Sequence, residues 1–214
     1  MIDNKKKYIL LLIDIKNSTA LPGNTISLKV KELELQLKKI NRTYKKEIAL
    51  PLSINYGDEI AGLFESPKNI YDIVSDIRRT LYPQTTIRYA VVRGKVAVSS
   101  TDIRKVGGTV FKEANQAIKQ LKEIGGYSYW QFGNKSKDLS LVALTETTNL
   151  LLTEMTEYQR EVYEMLSKGH SQTDIAKKLN KYVQSVWDAI GRGNAEYVIK
   201  MEDAIRAVLQ ENKW

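Results

Sequence analysis

The chain has 214 residues, with 33 Lys+Arg against 25 Asp+Glu, one histidine and no cysteine. A hydrophobic fraction of 43% with 27% charged residues is that of a globular protein, and excludes a disordered, collagen-like or disulfide-stapled one. Without cysteine there are no disulfides, thiolate nucleophiles or Cys-zinc sites, and the single His170 excludes a multi-His metal cage and argues against a Ser-His-Asp triad. Any catalysis therefore rests on carboxylates, lysine, hydroxyls or a carboxylate-bound metal.

Lys5-Lys6-Lys7 ahead of Tyr8–Ile13 imitates a signal peptide. However, Asp14 closes the apolar run after six residues and no small-residue cleavage site follows. The run is too short to cross a bilayer. It reads as a buried central strand over 8–14, in a cytoplasmic protein with no membrane partner. Asn17, Ser18, Pro22, Gly23 and Asn24 mark a loop. From Thr25 to Glu47 the positions of Leu28, Leu33, Leu35, Leu37 and Ile40 predict a long amphipathic helix with a lysine-rich outer face. Ile48–Asn55 and Ile60–Phe64 read as strands joined by a hairpin at Tyr56-Gly57-Asp58. Lys68–Leu81 reads as a helix and Thr85–Val92 as a strand, with a further strand starting near Lys95–Val98. Thr109–Ile124 is helical and stops at Gly125-Gly126. Tyr127–Phe132 and Leu139–Leu144 are expected to form a closing strand pair, and Thr145–Thr153 a junction. The order β-α-β-β-α-β is that of a split βαβ, ferredoxin-like core.

In such a core the end of the first strand and the tip of the hairpin share one sheet edge. Asp14 and Asp58 should meet there with Glu59 nearby. Paired carboxylates repel unless a cation or proton lies between them, and Mg²⁺ takes oxygen ligands of this kind. The segments Asp14–Thr19 (DIKNST), Asn55–Glu59 (NYGDE) and Leu63-Phe64 resemble the palm of class III nucleotidyl cyclases. More closely, residues 8–124 resemble the SatD family: a first strand ending in Asp, a GDE hairpin, and a Gly-Gly turn leading into a helix such as Val110–Ala117. The cyclase resemblance implies that Asp14 and Asp58 are the metal aspartates, with Mg²⁺ as the cofactor and a nucleotide as the ligand. It also implies that Asn115 orients a ribose and that Lys119 stands where cyclases carry a transition-state arginine. These two are the catalytic candidates. The chain departs from the pattern at Ile54, where many cyclases have a purine-reading lysine, and at Gly107-Gly108, which replaces an acidic region. A Gly-Asp hairpin and a strand-terminal Asp are each also ordinary structural chemistry.

Beyond residue 154 only helix is expected. Thr156 caps the first segment with Gln159 in its first turn, and Tyr158, Val162 and Leu166 share a face. Lys168-Gly169-His170 ends it. Ser171–Asp174 opens a second helix, Asn180 supplies the turn, and Val183, Val186 and Ile190 line a third. Residues 155–195 resemble the helix-turn-helix of sigma-region-4 and LuxR-type regulators. Ala176 stands at the small position where the two helices approach, and Val186 at the core position of the recognition helix. The resemblance implies a DNA partner and a homodimer. Tyr182, Val183, Gln184 and Trp187 are the candidates for base contact. Gln172, Thr173, Lys177, Lys181 and Arg192 complete the DNA-binding set. Residues 1–154 hold 24 basic against 16 acidic residues, whereas 155–214 balance at 9 and 9.

The sequence thus predicts an α+β chain: a ferredoxin-like, cyclase-like palm over 1–147, a linker over 148–154 and a small all-α helix-turn-helix domain over 155–214. The expected function is a DNA-binding transcriptional regulator whose palm senses a nucleotide. The alternative is a metal-dependent phosphoryl-transfer enzyme, such as a nucleotidyl cyclase, using Asp14 and Asp58.

Overall fold

The run Lys7–Ile15 is a strand (β1) in which Tyr8 to Asp14 are all buried, because both faces of the sheet are covered. A computed structural model of the chain describes residues 2–16, 23–55, 58–97, 100 and 102–211, with backbone alone for 23–29. The chain divides into two compact units, Met1–Val142 with Val208–Trp214, and Ala143–Ala207.

In the first unit β1 is followed by α1 (Gly23–Thr43), β2 (Ile48–Ile54), β3 (Glu59–Phe64), α2 (Ile70–Leu81), β4 (Ile87–Lys95), α3 (Thr109–Ile124) and β5 (Ser128–Gln131). The sheet order is β2-β3-β1-β4-β5. β2 pairs antiparallel with β3, β3 with β1 and β1 with β4, while β5 lies parallel to β4. The first four strands have the ferredoxin-like order, with β3 lying between β1 and β2 as the split βαβ pattern requires. α3 packs on β4, β1 and β5. Its Val110, Ala114, Ala117, Ile118 and Leu121 join Leu10, Leu12, Ala90 and Val92 in one core. Ile9, Leu11 and Ile13 are buried on the opposite face. α1 and α2 pack against each other.

Several boundaries move. α1 ends at Thr43 rather than Glu47, and Glu47 N–H instead closes a turn onto the Tyr44 carbonyl. β4 runs on to Lys95, so Lys95 ends that strand; residues 98 and 99 of the further strand expected there lie outside the described residues. The expected strand over Leu139–Leu144 is helix, and so is the stretch read as a linker: both fall within α4 (Lys135–Glu154). The polar residues that suggested a junction are accommodated by their own helix. Thr147, Thr148 and Thr153 hydroxyls donate to the carbonyls four residues back, and Asn149 Nδ2 donates to the Thr145 carbonyl at 2.8 Å. Thr145, Thr148 and Asn149 are buried.

The second unit holds the end of α4, then α5 (Glu157–Leu166), α6 (Gln172–Leu179), α7 (Val183–Arg192) and most of α8 (Ala195–Gln210). Thr156 and Gln159 form a reciprocal capping box at α5. Ser171 accepts from the Asp174 N–H at the start of α6, and Asn180 ends that helix in the left-handed conformation at φ 51°. The sequence predicted each of these stops and starts. α5 packs on both α6 and α7. Val162, Tyr163, Ile175, Ala176, Val186, Ala189 and Ile190 belong to one core. Among the described residues no helix is long and apolar enough to cross a membrane.

Candidate functional site

The first site lies at the end of β1. Strand register sets Asp14 opposite Glu59 on β3 and opposite Arg88 on β4. Directly opposed residues of antiparallel strands project to the same face, so Glu59, Asp14 and Arg88 form a row across three strands. The Asp58 carbonyl accepts from the Ile15 N–H at 3.2 Å, which brings Asp58 beside the row; Tyr56 and Gly57 of the expected hairpin lie outside the described residues. The predicted meeting of Asp14, Asp58 and Glu59 at one sheet edge is therefore present in the backbone.

The side chains add what the sequence reading missed. Asp14 is 2% exposed. Lys122 Nζ, from the last turns of α3, lies 2.6 Å from Asp14 Oδ1, and Arg88 Nε lies 3.4 Å from Oδ2. Neither Asp14 Oδ1 nor Arg88 Nε has an aligned hydrogen bond, so the contacts are ionic. The Glu59 carboxyl is held above the ordinary carboxylate range, chiefly by burial and then by the charges of Asp14 and Asp58, with Lys122 opposing them. Lys16 Nζ stands 4.0 Å from the centre of the Tyr127 ring nearby. Arg88 was detectable as a lone charge within the apolar run 87–92. Its partner was not, because only strand register sets it against Asp14.

Both oxygens of Asp14 thus face cations of the chain itself. Among the described residues no three of His, Cys, Asp or Glu are grouped to hold a metal. As arranged, the residues do not fit Mg²⁺, which needs free oxygen ligands. Asn115 and Lys119 are exposed one turn apart on α3; Lys122, one turn further on, is the cation that reaches Asp14. Ile54 is half-buried in β2 at the end of its pairing with Ile60. Gly108 has a structural role: its φ is +133°, and a Cβ there would sit 2.9 Å from both Ala97 N and Lys95 O.

The second site is the exposed side of α6 and α7. Lys181 N–H donates to the Ala176 carbonyl at 2.9 Å and closes the turn between the helices. Val186, Ala189 and Ile190 face inward, which leaves the other side of α7 in solvent. Tyr182 is 85%, Trp187 59% and Val183 46% exposed. Gln184, Thr173, Lys177, Lys181 and Arg192 are exposed as well, and Gln172 is half-buried in the first turn of α6. Lys181 Nζ lies 6.0 Å from the Tyr158 ring centre. His170 Nε2 and Lys178 Nζ are 3.1 Å apart, next to the turn that Gly169 makes at φ +83°.

No curated protein matches the chain. Among solved structures it is similar to a bacterial light-regulated adenylyl cyclase (15% identity, TM-score 0.45, covering 58% of this chain and 74% of that one). A dimeric guanylyl cyclase domain from the aquatic fungus Blastocladiella emersonii matches at 15% identity and TM-score 0.41, over 52% and 72% of the two chains. The guanylate cyclase domain of a Catenaria anguillulae protein, solved with GTP, matches at 15% and 0.41, over 51% and 70%. The SatD family model matches residues 8–190, from β1 through most of α7 and well past the 8–124 over which the motifs alone resemble it, and the chain belongs to the SatD family.

Proposed function

We propose that this SatD-family chain is a cytoplasmic DNA-binding regulator acting as a homodimer, with α7 as the helix that enters the major groove. The observation that carries this reading is the solvent-facing side of α7. Tyr182, Val183, Gln184 and Trp187 stand clear of the core of their own unit. A recognition helix reads base edges with such a face while neighbouring cations set its register on phosphates. Gln184 suits bidentate contact with adenine, Val183 suits a thymine methyl, and Lys177, Lys181 and Arg192 are the phosphate contacts. In this reading the first unit senses a nucleotide and transmits its state to the helices.

The test is fluorescence anisotropy of the full chain with a labelled random-sequence duplex, titrated across salt. Binding at low salt is expected, weakening as salt rises. Losing one phosphate contact in Lys181→Ala should reduce the slope of log K against log salt by about 0.9. Gln184→Ala should weaken the preferred site by roughly 5- to 150-fold with little effect on random DNA. No binding to any duplex at low salt overturns the proposal.

A second reading, metal-dependent phosphoryl transfer by a nucleotidyl cyclase-like palm, is favoured by the gathering of Asp14, Asp58 and Glu59 at one sheet edge. It requires Lys122 to release Asp14. Incubation with each nucleoside triphosphate and Mg²⁺ or Mn²⁺ separates the two readings: a cyclic product that Asp14→Ala abolishes supports the enzyme.

A further inference from the structure

Asp14 occupies the strand end where the cyclase resemblance implies a metal ligand, yet its surroundings are those of a different device. The carboxylate is almost wholly buried. A buried carboxylate without compensation is strongly disfavoured, and here the compensation comes from two elements of the same unit. Arg88 is delivered by the β1–β4 register, directly opposite Asp14, and its side chain is only 12% exposed. Lys122 comes from the last turns of α3, where the helix dipole favours a cation. Its ammonium contacts Oδ1 while half of its side chain remains in solvent. A free surface ion pair contributes little because water screens both partners. In this pair the acid is shielded from water, so the contact is not of that kind.

We infer that the Lys122 ammonium, backed by Arg88, holds on Asp14 the place of a divalent cation, and that this sheet edge works without a metal. A divalent ion bound to an Asp14 oxygen would lie within a few ångströms of the ammonium and of the guanidinium, and both would repel it. The same carboxylate ties β1, β4 and α3 together, so the acid that the resemblance implies for chemistry here fastens the fold. The inference is independent of whether α7 contacts DNA.

The experiment uses the full-length chain as wild type, Asp14→Asn, Lys122→Met and the double variant. Mn²⁺ binding is read from the electron paramagnetic resonance of free Mn²⁺, and stability from the melting temperature. Wild type and Asp14→Asn should deplete free Mn²⁺ equally at about 1 mM, and Mg²⁺ or EDTA should leave the wild-type melting temperature unchanged. Each single variant should melt roughly 5 °C or more below wild type. The double variant should melt well above the sum of the two losses, because the second substitution removes a group that has already lost its partner. Mn²⁺ binding by wild type that Asp14→Asn abolishes overturns the inference, whether or not the Lys122 variants fold. So do melting losses that simply add. A negative DNA-binding result would leave both measurements untouched.

Discussion

Ala176→Leu tests whether the closeness of α6 and α7 sets the position of α7, the helix proposed to enter the groove. Ala176 is 4% exposed and belongs to the core that includes Ile175, Val186, Ala189 and Ile190. Its carbonyl accepts from the Lys181 N–H at 2.9 Å, so the backbone there is tied to the turn and has little room to retreat. Leucine would push extra carbon atoms into a packed contact, at a cost of about 1–3 kcal/mol. A unit the size of Ala143–Ala207 loses roughly 4–8 °C of melting temperature per kcal/mol, so a loss near 10 °C is expected in its transition. Differential scanning calorimetry of the full chain reads it, with Trp187→Ala as the control. Trp187 is exposed, and its truncation should change stability by no more than about 0.5 kcal/mol. In the anisotropy assay the pattern should differ: both variants lose DNA affinity, one through displacement of α7 and the other through its surface. An Ala176→Leu chain that melts with the wild type would refute the reasoning, because the two helices would then not depend on a small residue between them.

Gly108→Ala should cost about 1–3 kcal/mol in urea denaturation, since φ +133° is glycine territory and the added Cβ meets two backbone atoms at 2.9 Å. Arg160→Met should destabilise the helical unit by about 2–3 kcal/mol. The buried guanidinium donates to the Leu152 carbonyl at 3.2 Å and to Glu164 Oε1 at 3.3 Å, and thermal denaturation checks the loss. Asp174 is held below the usual carboxylate range, first by its hydrogen bond from Ser171. A lowered folded value means stability that is present at neutral pH and lost as pH falls through that value, below the unfolded value of about 3.9. Asp174→Asn should therefore melt below wild type at pH 7, with the difference closing in acid.

The parts of the fold legible in the sequence are those whose signals are local. The run from Tyr8 to Ile13, closed by Asp14 too soon for a signal peptide or a membrane span, reads as a strand buried on both faces. Thr156, Ser171 and Asn180 mark helix ends by side-chain chemistry within three residues. Leu139–Leu144 is helix rather than the expected strand because its helix starts from a contact outside that segment. Asp138 takes the Phe132 and Gly133 N–H groups on its carboxylate and turns the chain out of β5. The polar TETTN stretch is helix rather than the expected junction because threonine and asparagine can satisfy themselves on their own helix while buried, which periodicity does not reveal. At the sheet edge, the meeting of Asp14 and Asp58 followed from topology. The clamp by Arg88 and Lys122 did not, because it depends on strand register and on which face of α3 turns inward.

Among the departures from apolar inside and polar outside in the described residues, two run in opposite senses. Asp14 puts a charge inside, while Tyr182 and Trp187 put large rings outside. The first is answered within the molecule, by two cations already in contact with the carboxylate. It demands no ligand, and a metal would have to displace what is there. The second is not answered by burial within its own unit. Exposed aromatics beside exposed Gln184 and Lys181 contribute little to folding, and in the proposed reading they serve a partner from outside the chain. Under the proposed function the asymmetry gives the two units different roles. In that reading the sheet edge consolidates its own unit, and the surface of α7 is where the chain meets DNA.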